Sequence, residues 1–358
     1  MKIAVLGVGL IGGSIGLAAR SRLDAEVSGF DPDEGLLEQA VERGAIDRAA
    51  GSVSEAATGA EIVFCAAPVA ALPGLATEAL EATEDAAVTD VGSVKREVLE
   101  RLGEEPRFIG GHPVAGAETS GVENARAELF EGVRWYLTPT PRTEGVIYDR
   151  VQRAIAEMGA RPQAMDASDH DRLMAKVSHL PHVLANVLVA QAEDAMDEDS
   201  ERLPEVGPSF RDATRVAGAN PAIWGDIFTG NRDAVAAEVD AVAERLRATA
   251  ELLRGGNHDR VAAWHKEAAE RRRKLLEAEL TGGPLQELRV IVPNEPGIVA
   301  EIALELGRGA VNIEDMALYP AADMRSGAIS LYIAGEEEAA RAEGLVRELG
   351  HDVSRVER

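Results

Sequence analysis

Lys2-Ile3-Ala4-Val5-Leu6-Gly7-Val8-Gly9-Leu10-Ile11-Gly12-Gly13-Ser14 opens the chain, and its reading decides the fold. A short apolar run ends at a glycine, and Gly7, Gly9 and Gly12 then spell G-x-G-x-x-G. That pattern alone is weak. Here it follows a strand at residues 2–6, opens a helix at 10–20 and precedes a strand at 26–30 that ends in Asp31. Gly7 permits the tight turn, Gly9 lets a pyrophosphate approach the backbone, and Gly12 lets helix and strand pack closely. The phosphates then sit on a helix N-terminus, where free N–H groups and the macrodipole favour negative charge. A carboxylate at Asp31 accepts from both ribose hydroxyls of NAD and repels the 2′-phosphate of NADP, and no Arg or Lys follows it closely. The expected cofactor is NAD, held by Gly7, Gly9, Leu10, Ile11, Gly12, Asp31 and Pro68.

Outward from this unit, apolar runs at 61–66, 87–90 and 107–109 alternate with helical patterns at 33–43 and 94–102. Alternation of this kind predicts an α/β domain at 1–166, a Rossmann-type doubly wound parallel sheet with helices on both faces. Later strands near 134–137 and 161–164 flank a helix at 145–158. From 167 to 280 the strand signal vanishes and Ala-rich helical spacing takes over, divided by Pro204, Gly207, Pro208 and Pro221. Residues 180–195 are apolar almost throughout, which predicts burial between helices or subunits and hence a homodimer. Residues 281–286 read as a linker, and 287–358 as a small α+β unit.

A chain of 358 residues allows two or three domains. Its net charge of −25 excludes a nucleic-acid surface, because a phosphate backbone would be repelled. The single cysteine, Cys65, lies in the apolar run Ile62-Val63-Phe64-Cys65-Ala66, so it reads as a small buried hydrophobe in a reducing compartment. The chain starts directly with a strand, and no stretch is expected to reach the ~20 apolar residues of a membrane span. The expectation is a cytoplasmic protein that engages no membrane.

Asp90-Val91-Gly92-Ser93-Val94-Lys95 ends one strand, and Gly110-Gly111-His112-Pro113-Val114-Ala115-Gly116 reads as the loop after the next. Both fall at carboxyl ends of parallel strands, where open α/β sheets bind ligands. His112 is the acid/base candidate, since an imidazole titrates near neutrality, and Ser93 could orient it or hold a substrate oxygen. A structural histidine in a glycine-rich loop would look the same. Further on stand His170-Asp171 and His179-Leu180-Pro181-His182. Two histidines at i, i+3 could share a helix face and bind zinc, but no third ligand is evident and no metal is expected. Polar roles beside the cofactor suit them better, and Pro181 predicts the first turn of a helix. Arg211 and Arg215 fall at i, i+4, so one helical face could grip carboxylates or simply pair with surface acids.

In their order, these motifs resemble the prephenate dehydrogenase family of tyrosine biosynthesis. The resemblance spans residues 1 to about 280. It rests on 7–14, 90–95, 110–116 continuing to Glu118-Thr119-Ser120-Gly121, 178–182, 210–215 and Asn220-Pro221-Ala222-Ile223-Trp224-Gly225-Asp226-Ile227-Phe228. It implies oxidative decarboxylation of prephenate to 4-hydroxyphenylpyruvate, with hydride passing to NAD. By the family pattern His112 takes the ring hydroxyl proton, Ser93 supports that histidine, and His182 stands near substrate and nicotinamide with His179 beside it. Arg215 matches a carboxylate-binding arginine, whereas many relatives carry Lys at the position of Arg211. Arogenate is the neighbouring substrate, and a sensor that binds NAD and an amino acid without catalysis is the reading from another class. The C-terminal unit resembles an ACT domain through Val290-Ile291-Val292-Pro293-Asn294-Glu295-Pro296-Gly297-Ile298 and Gly309-Ala310-Val311-Asn312-Ile313-Glu314. That likeness implies tyrosine as feedback effector, bound by Asn294, Gly297 and Asn312, or else a purely dimerising role.

Overall fold

The computed structural model describes residues 1–103, 105–115, 121–193, 206–277, 284–293, 295, 298–320 and 326–356. It divides into two units, Met1–Arg245 and Leu246–Arg358. The first unit opens with β1 (Lys2–Leu6), α1 (Leu10–Leu23), β2 (Glu26–Phe30), α2 (Glu34–Glu42), β3 (Arg48–Ala49), α3 (Val53–Ala57), β4 (Ile62–Cys65), α4 (Leu72–Glu81), β5 (Ala87–Asp90), α5 (Arg96–Leu102) and β6 (Phe108–Pro113). It continues with β7 (Arg134–Thr138), α6 (Gly145–Glu157) and β8 (Arg161–Ala164). The sheet order is β3-β2-β1-β4-β5-β6-β7-β8. Strands up to β6 pair in parallel, β7 runs antiparallel to β6, and β8 is parallel to β7. This is the doubly wound arrangement, with the reversal of strand order lying between β1 and β4.

Side-chain alternation along β1 explains why both faces are covered. Ile3 and Val5 join Ile15, Phe64, Trp135 and Val151 in one core, while Ala4 and Leu6 join Val63, Cys65, Val88 and Phe108 in the other. Strands buried on both faces need continuous apolar runs, as β1 and β4 have. Burial raises the Cys65 thiol pKa, with the Asp90 charge adding to the effect, so this cysteine packs as a hydrophobe.

β6 departs from expectation. The strand continues to Pro113, and His112 pairs in register with Tyr136, so His112 stands in a strand rather than in the loop after it. The two glycines do not break the strand. They admit neighbours: a Cβ on Gly110 would meet Thr138 Oγ1 at 2.4 Å, and one on Gly111 would meet the Asp90 carbonyl oxygen at 2.5 Å.

The helical part begins with α7 (Ala167–Met174), a π turn at Ala175–His179 and α8 (Leu180–Glu193), which form one continuous run. Pro181 therefore lies inside a helix and does not mark its first turn. The π turn, closed by Leu180 N–H on the Ala175 carbonyl, widens the helix just ahead of the proline. The run of 27 residues is long and apolar enough, by length and composition, to cross a membrane. That overturns the expectation from the sequence. Its polar side chains His170, Asp171 and His179 are buried within the unit, where α7 packs on α5 and β7, as in a domain helix. After it come α9 (Pro208–Thr214), a 3-10 turn at Arg215–Gly218, α10 (Pro221–Gly230) and α11 (Arg232–Arg254).

The second unit holds α12 (His258–Glu277), β9 (Leu285–Pro293), α13 (Ile298–Arg308), β10 (Asp315–Pro320), β11 (Ser326–Ala334), α14 (Glu336–Glu348) and β12 (Asp352–Arg355). From β9 onward this is a β-α-β-β-α-β unit with an antiparallel sheet in the order β10-β11-β9-β12. Its core joins Leu288, Val290, Ile329 and Leu331 to Ile302, Leu306 and Val346 from the helices.

Candidate active site

The glycine loop shows three different demands. Gly7 has φ +97°, and a Cβ there would lie 2.3 Å from the Ala66 carbonyl oxygen. A Cβ on Gly12 would lie 1.8 Å from the Gly7 carbonyl oxygen. A Cβ on Gly9 would meet nothing within 4 Å. The first two glycines are needed by the fold, and the third faces open space at the N-terminus of α1, whose cap position has no side-chain hydrogen bond. An uncapped helix start beneath an open glycine is a cradle for a pyrophosphate. Asp31 accepts from Val8 N–H through Oδ2 and from Asp33 N–H through Oδ1, both at 3.0 Å. Each oxygen keeps a lone pair for a ribose hydroxyl. Leu10 and Ile11 pack half-buried against the core, and Pro68 is exposed just past β4.

Beyond β5 and β6 lies a buried polar cluster. Lys95 is fully buried, and its Nζ bonds Asp90 and donates to the Gly111 carbonyl at 2.7 Å. Asp90 also accepts from Gly92 N–H and Gly111 N–H, each at 2.9 Å. Burial lowers the Lys95 pKa and the Asp90 charge opposes that shift. The pair ties the ends of the two strands together.

His112 Nδ1 lies 2.8 Å from His170 Nε2, and His170 Nδ1 lies 2.8 Å from Asp171 Oδ1. Asp171 is anchored by the first backbone amides of α5, with Lys95 N–H on Oδ1 and Arg96 N–H on Oδ2, both at 2.9 Å. Burial holds His112 well below the usual imidazole pKa, and the charges of His170, Lys95 and His179 add to this. His170 is lowered by burial against the opposing pull of Asp171. Both rings are therefore neutral near pH 7.

His179 and His182 lie across from this relay. Asn231 Nδ2 donates to the Asp171 carbonyl at 2.8 Å and reaches His179 Nδ1 at 3.1 Å. Burial pushes His179 down to about 4. His182 stacks on Trp224 with ring centroids 3.4 Å apart, and its Nδ1 donates to the Ser178 carbonyl at 3.1 Å. Its pKa is lowered chiefly by burial, and the nearby Arg215 cation contributes in the same direction.

The geometry thus gathers His112, His179, His182 and Arg215. Ser93 sits half-buried in the turn before α5, and the Nδ1 of His112 is taken by His170 rather than by Ser93. α9 ends at Thr214 and Arg215 opens the 3-10 turn, so Arg211 and Arg215 do not share one helical face as their spacing predicts. Arg211 is exposed on α9. Asn312 is exposed and donates to Glu314 at 2.9 Å, while Asn294 and Gly297 lie outside the described residues. Among the described residues no three His, Cys, Asp or Glu side chains gather as a metal site. Sequence reasoning passed over the partnership of His170 with Asp171, the Lys95–Asp90 pair and Asn231. The adjacent His-Asp was a signal; a lone asparagine between helices carried none.

Residues 15–163 match the family model described as prephenate dehydrogenase, nucleotide-binding domain, and residues 166–267 the one described as prephenate dehydrogenase, dimerization domain. A cyclohexadienyl dehydrogenase of Zymomonas mobilis is 32% identical over 76% of this chain and 95% of its own. The chain belongs to the prephenate dehydrogenase family. The likeness to the prephenate dehydrogenase of Bacillus subtilis, 28% identical, runs over 95% of this chain and 94% of the relative, so it takes in the C-terminal unit. Among solved structures, prephenate dehydrogenase from A. aeolicus in complex with hydroxyphenyl propionate and NAD+ is 31% identical with a TM-score of 0.71. It covers 77% of this chain and 98% of that one. The matched residues therefore take in the histidine cluster and α8.

Proposed function

We propose that this chain oxidises prephenate with NAD, releasing carbon dioxide and 4-hydroxyphenylpyruvate, with His112 as the general base. The observation that carries the reading is the tie of His112 Nδ1 to His170 and Asp171, which leaves its Nε2 as the acceptor of the neutral ring. Gly7, Gly9, Leu10, Ile11, Gly12, Asp31 and Pro68 hold NAD, whose nicotinamide, when bound, accepts the hydride from the ring carbinol carbon. His112 Nε2 accepts the hydroxyl proton, which raises electron density at that carbon and weakens its C–H bond. The C–CO₂ bond then breaks, its electron pair moves through the ring onto the new carbonyl oxygen, that oxygen takes back the proton held by His112 to give the phenol, and aromatisation makes the loss downhill. Arg215 receives a substrate carboxylate, with Arg211 as a second cation; His179 and His182 line the pocket, and Ser93 lies near the hydroxyl. Two carboxylates on a chain of net charge −25 need such a local cationic patch.

The assay is NADH appearance at 340 nm with prephenate and arogenate, each with NAD and NADP. Prephenate with NAD is expected to turn over fastest. Preference for arogenate reassigns the substrate, and an NAD-saturated protein that turns over neither leaves a sensor.

The same reading divides the chain into a nucleotide domain at 1–166, a helical domain at 167–280, a linker at 281–286 and a regulatory domain at 287–358. It places the enzyme in the cytoplasm as a homodimer. Val187, Leu188 and Val189 of α8 are 56%, 44% and 40% exposed in the single chain, an apolar face that a second subunit would cover. The β-α-β-β-α-β unit supports a ferredoxin-like ACT domain, and tyrosine is its proposed effector. Calorimetry tests that: tyrosine is expected to bind the full chain and not a chain ending at Leu280.

A further inference from the structure

Asp171 touches both halves of the histidine cluster, its carboxylate on one side and its backbone carbonyl on the other. On the carboxylate side the proton positions follow from acceptor chemistry. A carboxylate oxygen only accepts, so His170 Nδ1 carries the proton and His170 Nε2 is bare. His112 Nδ1 must then be the donor in the 2.8 Å contact, which leaves His112 Nε2 bare. On the carbonyl side only an N–H of Asn231 can face the Asp171 oxygen, which fixes the amide orientation. The second Asn231 N–H meets His179 Nδ1, so that nitrogen is bare and the neutral ring carries its proton on Nε2.

We propose that Asp171 is the positioning residue that writes opposite tautomers on the two histidines: through His170 it makes His112 an acceptor at Nε2, and through Asn231 it makes His179 a donor at Nε2. The inference rests on the reading of His112 as base and deepens it. A substrate hydroxyl then has one place to lose its proton, while a substrate oxygen that only accepts is drawn to His179. His170, Asp171 and Asn231 need not touch the substrate. After proton capture, the imidazolium of His112 is stabilised through His170 by the carboxylate two links away, without a proton reaching Asp171.

The test reads the tautomers directly, by ¹⁵N–¹H correlation NMR on the full chain labelled at its seven histidines, with His112→Gln and His179→Gln assigning the signals. The expected spectrum has His112 protonated at Nδ1 and His179 at Nε2. The opposite pattern on either ring overturns the proposal, whatever the turnover. Asn231→Asp puts an acceptor where a donor stood, and is expected to reverse the His179 pattern while leaving that of His112. Asp171→Asn is expected to lower kcat by up to about 10,000-fold, the loss that follows a wrongly tautomerised catalytic histidine, with NAD affinity within about threefold of wild type. An unchanged kcat also overturns it. Should Asp171→Asn fail to fold, the wild-type spectrum still decides. The expected spectrum in a protein that turns over no prephenate would remove the substrate reading and leave this one standing.

Discussion

Gly9 and Gly12 are three residues apart, yet they answer to different masters. A methyl group at Gly12 would overlap the Gly7 carbonyl, whereas one at Gly9 would project into empty space. Gly12→Ala should therefore lower the melting temperature as well as NAD affinity. Gly9→Ala should melt like the wild type and lose at least about tenfold in NAD affinity, the equivalent of about 1.4 kcal/mol, because its methyl occupies the pyrophosphate's approach. Fluorescence titration with NADH beside a thermal melt separates the two; a Gly9→Ala protein that binds NADH normally would remove the glycine loop from the cofactor site. His112 makes a second prediction at this scale. Its pKa is depressed by burial and by neighbouring positive charge, so the base stays unprotonated well below the usual imidazole range. The acid limb of kcat/KM for prephenate should accordingly fall clearly below pH ~6.5, the unperturbed histidine value. A limb centred there would mean that His112 is solvated in the working enzyme.

At the scale of elements, what could be read in advance depended on where the determining contacts lie. The β1–α1–β2 unit declares itself because its apolar runs and its glycines are local: both strands keep their expected bounds, and α1 starts as expected at Leu10 and runs on to Leu23. β6 does not, because Gly110 and Gly111 look like a turn until Thr138 and Asp90 are seen against them. Pro181 looks like a helix start until the π turn at Ala175–His179 accommodates it. β3 is only two residues long and owes its existence to pairing with Ser28 and Gly29. The site divides in the same way: His112 and Arg215 stood out by residue type, but the relay through His170 and the amide of Asn231 are tertiary facts. The break after α9 bears on substrate binding: both arginines are exposed, but Arg215, on a 3-10 turn, is the one whose charge is felt at His182, while Arg211 lies on α9. Arg215→Ala should raise the KM for prephenate by about 10- to 100-fold, the worth of a charge-assisted hydrogen bond, and leave the KM for NAD unchanged. Arg211→Ala should cost less than Arg215→Ala. Steady-state kinetics varying each substrate in turn checks both, and an Arg211 effect larger than that of Arg215 would reverse the assignment.

For the whole molecule, the lowered histidines set an acid limit on stability, and they set it unequally along the chain. His112, His170, His179 and His182 all have folded pKa values below that of a free imidazole, with His179 at about 4. All four lie within Met1–Arg245. An imidazole held neutral in the fold takes up a proton when the chain unfolds, so the unfolded state binds more protons wherever the pH lies between the two values. The contribution of these residues is therefore fully present above about pH 6.5 and drains away as the pH falls towards His179's value of about 4. In Leu246–Arg358 the resolved shifts belong to Glu343, lowered by its bonds to Arg355, and to Arg355 itself, raised by the same carboxylates. A carboxylate with a lowered pKa keeps its stabilising share until the pH drops below its unperturbed value of 4.5. The two units should thus come apart in order on acidification. Between pH 7 and pH 5 the calorimetric transition of the first unit should move to lower temperature, while that of the second stays in place until the carboxylate range is reached. His179→Gln, neutral at every pH, should flatten the response of the first unit. Transitions that shift together from pH 7 downward, or a first unit indifferent to pH above 5, would show that these histidines are hydrated in solution and that the site is open to water.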